Sequence, residues 1–396
     1  MKPSRWLLLA LVLLAASMVA GKLSASAGPY VPASDAEVIA SVPKRSSPEQ
    51  AALSQARMML SASPNDPAAA AAYARTSISI GRRLSDPRYL GKAQAALMPW
   101  WKDAAPPEPV RLQRAVIRQS LHDFDGALAD LDALAAAADG GAADDATILL
   151  TRATVLTVVG RYAEALRACD ALSVIQQEPA LKVVCTAVVD SQTGKAQEAY
   201  AAISAIDASQ WTSAERGWLF STRAELAVRA GKDDEAEKAF RAAIAEDDED
   251  TYSRAALADL LMDEGKPAEA AKVVRERADA ELLRLAIATQ RAGLPKAAEY
   301  REELRARFDA ARERGDSVHR REESRFQLEL EGDVPKALEL AEANWKVQRE
   351  PADARVLLEA ALKAGKPAAA APVVEALKRS GAEEPRLVEL VKKVSQ

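Results

Sequence analysis

Two cysteines and two histidines are the only residues of this 396-residue chain whose scarcity makes their spacing informative. His122 and His319 stand far apart, and neither lies near a cysteine in a ligand-like spacing, so no histidine-based triad or zinc cluster assembles from them. His122 reads as a turn residue. Gly-rich phosphate loops, H-E-x-x-H and the nucleophile elbow are absent from the sequence. Carboxylates are plentiful, yet no pair is singled out for acid–base work. Cys169 and Cys185 carry the sharper chemistry, since two thiols in an oxidising compartment tend to pair. The other reading is two buried free thiols acting as small hydrophobes.

The acidic run Glu246–Asp250 lacks EF-hand spacing and reads as a solvated loop. Arg301–Arg325 is dense in both signs of charge, which reads as an exposed, salt-bridge-laced helix pair, with docking to an anionic surface as the alternative. Lys and Arg number 53 against 58 Asp and Glu. Removing a signal segment would take away Lys2, Arg5 and Lys22, leaving 50 against 58, a net charge of −8. That balance lacks the basic footprint of a nucleic-acid binder, so nucleic acid is not an expected partner.

The elements that must position these residues follow from a period. Ala93, Ala127, Ala165, Ala199, Ala236, Ala270, Ala298, Ala337 and Ala370 are separated by 34, 38, 34, 37, 34, 28, 39 and 33 residues. A step of this size belongs to a stacked helical array and not to a single enzyme core. Gly160, Gly194, Gly231, Gly265, Gly293, Gly332 and Gly365 each precede an anchor alanine by five residues. Apolar residues recur at helical spacing on both sides of Gly231, so each unit is two amphipathic helices broken at a glycine whose backbone adopts positive φ. Pro267, Pro295, Pro335 and Pro367 mark second-helix starts. Cys169 then falls on the second helix of one unit and Cys185 on the first helix of the next, antiparallel neighbours that a disulfide could join.

The unit resembles the tetratricopeptide repeat. The matching residues are Ala153, Gly160, Tyr162, Ala165 and Cys169; Ala187, Gly194, Ala199 and Ile203; Ala224, Gly231, Ala236 and Phe240; Ala258, Gly265, Ala270 and Val274. The likeness covers most of Ala68–Lys393, and the chain as a whole is similar to secreted bacterial proteins bearing this repeat. His122 stands where a turn glycine is expected, Arg325 replaces a small residue, and the repeat boundaries are least clear between Val273 and Glu331. The 28- and 39-residue steps imply a shortened connection followed by a long helix pair. The resemblance implies an all-α, right-handed superhelical solenoid of about nine antiparallel helix pairs over residues 48–396, capped by a helix around Pro385–Val394.

Before it, residues 1–27 have the form of a cleavable signal peptide: Lys2 and Arg5, an apolar run from Trp6 to Val19, and Ala25-Ser26-Ala27. An uncleaved inner-membrane anchor is the alternative. Residues 28–47 read as a flexible leader, and helices begin near Pro48. Ala104–Pro109 reads as an extended connector, Asp139–Asp145 as a loop, and Trp100 and Trp101 as residues sealing a helix end. The expected location is the periplasm or outside the cell, with no membrane span after cleavage and no cofactor or metal.

In the resembling family the first helix of each unit lines a concave groove, at positions 13, 10, 6, 3 and 2 before the turn glycine. Carried onto Gly231, Gly265, Gly332 and Gly365, this selects Trp218 and Glu225; Tyr252, Asp259, Met262 and Asp263; His319, Glu322, Phe326 and Glu329; Arg355 and Glu359. Aromatics among carboxylates suit a basic, partly apolar protein or peptide segment. Glu225, Asp259 and Glu359 stand where carboxylate-clamp domains use lysine and asparagine, so capture of an acidic C-terminus is not expected. The expected function is a non-enzymatic scaffold or adaptor. The alternatives are an accessory or carboxylate-based envelope enzyme, favoured by convergent acids in a deep pocket as opposed to a smooth open groove, and a structural subunit bearing an exposed apolar patch at one end.

Overall fold

In a computed structural model of the chain, the described residues are Ser34, 48–136, 146–174, 179–315 and 318–396. Residues 1–27, nearly all of 28–47 and the loop expected at 139–145 lie outside them. Among the described residues no helix is long and apolar enough to cross a membrane, and all regular structure is helical.

Among the described residues, the first helix, α1 (Pro48–Ala62), packs on the first of nine antiparallel pairs. The pairs are α2 (Pro67–Leu84) with α3 (Pro87–Ala96), α4 (Glu108–Ser120) with α5 (Phe124–Ala136), α6 (Ala146–Val158) with α7 (Tyr162–Ala171), α8 (Pro179–Asp190) with α9 (Ala196–Ser204), and α10 (Ser213–Arg229) with α11 (Asp233–Glu246). They continue as α12 (Thr251–Asp263) with α13 (Pro267–Val273), α14 (Asp279–Arg291) with α15 (Ala297–Glu313), α16 (Arg320–Phe326) with α17 (Val334–Trp345), and α18 (Pro351–Lys363) with α19 (Ala371–Ser380). The last helix, α20 (Pro385–Val394), packs on α18.

The glycine turns form for a local reason. At Gly231, φ is +69°, its N–H donates to Val228 O at 3.0 Å, and Lys232 N–H donates to Ala227 O at 2.8 Å. This pair of bonds satisfies two carbonyls that a helix end leaves free, and a residue without Cβ enters the left-handed region at little cost. His122, at φ +59°, occupies the corresponding place between α4 and α5, and Asp123 N–H donates back to Arg118 O. Pro267 opens α13, Pro367 opens the 3-10 turn before α19, and Pro335 is the second residue of α17. Pro295 instead stays in its turn, because α15 starts only at Ala297, after Lys296 at φ +71°. The extended connector is shorter than expected: α4 starts at Glu108, with Pro109 in its first turn.

Eight of the nine alanine anchors are at most 4% exposed; Ala298 is exposed. In α15 the buried contacts are Tyr300, Leu304 and Phe308, and Leu304 lies 34 residues after Ala270 and 33 before Ala337. The irregular steps of 28 and 39 therefore disappear once Leu304 replaces Ala298 as the anchor. The real irregularity is a turn of π-helix at Gln327–Glu331 that prolongs α16. Cys169 on α7 and Cys185 on α8 are bonded through their sulfurs, with Cα atoms 5.5 Å apart. Trp100 and Trp101 are half-buried, and the buried Arg114 fixes their segment by donating to Trp100 O, Trp101 O and Asp103 O while pairing with Asp130 at 2.6 Å.

Each unit touches its neighbours, as a stacked array requires, but Pro48–Gln396 also coils back on itself. Arg349 N–H donates to Val158 O at 2.7 Å, and Glu383 accepts from Ala196 N–H at 2.8 Å, across 187 residues of sequence. Arg386 pairs with Asp233 at 2.9 Å, and Ser85 bonds Thr251. The edge formed by the turns at Gly160, Gly194 and Gly231 is thus covered by the C-terminal helices.

Candidate functional site

Coiling back converts the expected open groove into a cleft of about 340 Å³. First helices from several units supply its walls: α10, α12, α14, α16 and α18. Counting from the turn glycine locates them well on α10 (Glu225, Val228, Arg229), α12 (Tyr252, Ala255, Asp259, Asp263) and α18 (Ala352, Arg355, Glu359). Local sequence sets these helices: Thr212 and Glu215 form a capping box at the start of α10, and Asp250 accepts from Ser253 N–H at 2.9 Å to cap α12.

The count fails where the helix geometry changes. Phe326, expected in the groove, is 1% exposed and packs on Phe308 with ring centroids 5.2 Å apart. The π-turn between it and Gly332 inserts a residue into the helical count, and one residue rotates the face by about 100°. Arg325 faces the cleft in its place, beside Glu322 and Arg321. Met262 is core as well, 6% exposed, because its neighbour Asp263 takes the cleft-facing position. Trp218 is 42% exposed but does not line the cleft, nor does His319. Glu329 lies outside it too, bonded to Arg291 and to Arg325, the latter at 3.2 Å. Tyr252, 59% exposed, is the aromatic that the cleft presents.

Six arginines face seven carboxylates in the cleft. Asp259 accepts from Arg325 at 3.0 Å and from Arg284 at 2.9 Å. Asp263 accepts from both Arg355 nitrogens at 2.6 Å and pairs with Arg386 at 3.0 Å. Glu225 pairs with Arg229 at 2.9 Å, Glu359 with Arg355 at 2.8 Å and Glu322 with Arg321 at 3.2 Å. Burial alone would push the Asp259 and Glu322 carboxyls up, but neighbouring guanidinium charges outweigh it. Asp259 is held well below the usual carboxylate range, and Glu322 is brought down to about 2 by Arg321 and Arg284. Burial would lower Arg325 and Arg355, yet the same ion pairs raise both, while Glu322 raises Arg321.

The acidic groove positions that suggested a basic partner are therefore neutralised within the chain. Sequence reasoning missed Arg284, Arg321, Arg325, Glu350, Glu384 and Arg386. Arg325 was visible as a departure from the repeat, whereas the capping helix that supplies Arg386 carries no repeat signal. Glu384 differs from the rest: its side chain has no hydrogen bond or ion pair among the described residues, and burial raises its carboxyl above the usual range against the pull of Arg229, Arg355 and Arg386. The cleft is thus a pocket holding convergent acids, not a smooth open groove.

Elsewhere the charge readings resolve into pairs. In the dense segment Arg307 bonds Asp279 and Glu303, and Arg305 bonds Glu331. Around the acidic run Glu246 holds Arg216, and Asp248 holds Arg254 and Arg275. At the N-terminal end of the array, Met58 and Met59 on α1 are 66% and 53% exposed.

Helix pairs with left-handed turns and buried small anchors define an all-α array of tetratricopeptide-like units. No known family model matches the chain, and no curated protein matches it. Among solved structures it is similar to TTC0263, a tetratricopeptide protein of Thermus thermophilus, at 16% identity, covering 48% of this chain and 99% of that one with a TM-score of 0.39. A tetratricopeptide repeat protein from Parabacteroides merdae is 16% identical, with coverage of 82% and 99% and a TM-score of 0.34. The APC/C hetero-tetramer Cut9-Hcn1 matches at 14% identity, with coverage of 88% and 93% and a TM-score of 0.40. These are likenesses of fold alone.

Proposed function

We propose that this chain is a non-enzymatic protein-binding scaffold, exported to the cell envelope by its N-terminal segment, and that it recognises a partner segment at the central cleft. The observation that supports this reading is the convergence of first helices from distant units on one cleft with an exposed aromatic, Tyr252. The partner segment is partly apolar, to cover Tyr252 and Val228. Tyr252→Ala removes an exposed anchor without touching the ion pairs. An aromatic hot spot is worth at least about 2 kcal/mol, roughly thirtyfold in affinity. Crosslinking and mass spectrometry on the envelope fraction should lose the cleft-linked partner in this variant, while circular dichroism stays unchanged. Undiminished crosslinking would sink the cleft as the recognition surface.

A carboxylate enzyme is the second reading, favoured by Glu384, whose raised carboxyl could hold a proton. Two-carboxylate chemistry needs a second acid free to act as nucleophile or base. Asp259, Asp263, Glu225, Glu322 and Glu359 are all engaged by arginine. The binding role is preferred for that reason.

A further inference from the structure

A second cavity, of about 420 Å³, opens where the α6–α7 and α8–α9 turns meet the C-terminal helices. Its volume is in the range of small-molecule sites. Trp345 and Leu387, 7% and 1% exposed, contribute apolar lining. Most of its polar groups are paired, Arg161 with Glu164, Arg229 with Glu225 and Glu350 with Arg321, but a few are not. Gln192 is 7% exposed; its Nε2 donates to Val188 O at 3.3 Å, which fixes the amide and leaves Oε1 buried with no donor. A buried acceptor without a donor is costly.

Glu384 lines the same cavity; its carboxylate makes no hydrogen bond or ion pair among the described residues, although burial and the opposing charges of Arg229, Arg355 and Arg386 act on it. Arg349 and Arg379 supply the opposite charge: both are exposed, both line the cavity, and neither guanidinium has a hydrogen bond or ion pair among the described residues. Arg349 is held in place through its backbone bond to Val158. A carboxylate without an ion pair and two unpaired arginines thus share one apolar-lined cavity. A simple cation would leave the two arginines unused, and a simple anion would leave Glu384 unused.

We propose that this cavity binds a small zwitterion with an apolar body, between an amino acid and a tripeptide in size. Its ammonium group meets Glu384, its carboxylate meets Arg349 and Arg379, and its side chain packs on the apolar lining beside Trp345. The cavity shares Arg229, Glu350, Pro351 and Glu384 with the cleft, but Tyr252 lines the cleft alone, so Tyr252→Ala separates partner recognition from this site.

Isothermal titration of the full chain with leucine, alanyl-leucine and alanyl-alanyl-leucine tests the assignment. At least one should bind with a Kd below about 1 mM. N-acetylation and C-amidation of that ligand should each weaken it at least about tenfold, as should Glu384→Gln and the double variant Arg349→Gln with Arg379→Gln. The Glu384 side chain makes no hydrogen bond or ion pair among the described residues, so Glu384→Gln, which leaves its backbone bond to Val388 in place, keeps the fold, and Tyr252→Ala should bind as the parent does. Failure of all three probes to bind, or binding that survives both blocking groups or the variants, overturns the proposal.

Discussion

Covering of the glycine-turn edge by the C-terminal helices can be isolated by one methyl group. Gly194 and Gly265 share the same backbone conformation, φ +79° and +75°. A Cβ at Gly265 would meet nothing within 4 Å, whereas one at Gly194 would lie 3.2 Å from Gly381 O, a backbone atom. Alanine at either position costs about 1–2 kcal/mol for left-handed backbone and regains about 0.4–1 kcal/mol from a stiffer unfolded chain. Those contributions cancel between the two variants. What remains at Gly194 is overpacking, typically about 1–3 kcal/mol, with the lower half expected because the overlap is a few tenths of an ångström. Gly194→Ala should therefore be less stable than Gly265→Ala by about 1–2 kcal/mol in urea unfolding followed by tryptophan fluorescence. Hydrogen exchange should locate the difference: Ala196 N–H, bonded to Glu383 at 2.8 Å, should lose protection in Gly194→Ala alone. Equal destabilisation of the two variants with unchanged Ala196 protection would refute the contact.

Reducing Cys169–Cys185, which closes a separation of 16 residues, should lower stability by about 3 kcal/mol in the chain-entropy picture; a urea midpoint indifferent to reductant would mean that the bond does not constrain the chain. Glu322 is depressed from 4.5 to about 2, so its contribution is fully present above pH 4.5 and is lost as pH falls toward about 2. With its side chain 16% exposed, a shift of this size corresponds to at most about 3 kcal/mol. Acid unfolding should show the gap between parent and Glu322→Gln closing over that window, and a gap independent of pH would contradict the Arg321 and Arg284 pairing.

What was legible in the sequence is what repeats at short range. The turns at Gly160, Gly231 and Gly265, the buried anchors, the α7–α8 placement of the cysteines and the C-terminal helix at Pro385–Val394 all follow from spacing within a unit or between neighbours. Even Ala298 was misread for a local reason, since it sits five residues after a glycine whose helix starts two residues late. Contacts such as Ala196–Glu383 depend on the pitch of the coil, the sum of small rotations from unit to unit, which no single period encodes. Spacing places the charges on the first helices, but their partners arrive from elsewhere in the coil: Arg325 from behind a π-turn and Arg386 from the last helix.

Repeat arrays commonly change length by gaining or losing whole units, because a stack has no preferred number of layers. This one does. Arg386 reaches Asp233 at 2.9 Å across 153 residues, and a further helix pair inserted between them would displace the two by about a helix diameter, roughly 10 Å. No side-chain adjustment spans that gap. The count of units is thus fixed by closure, as the number of teeth is fixed on a gear, and the array can diversify by substitution within its layers but not by lengthening between these two residues.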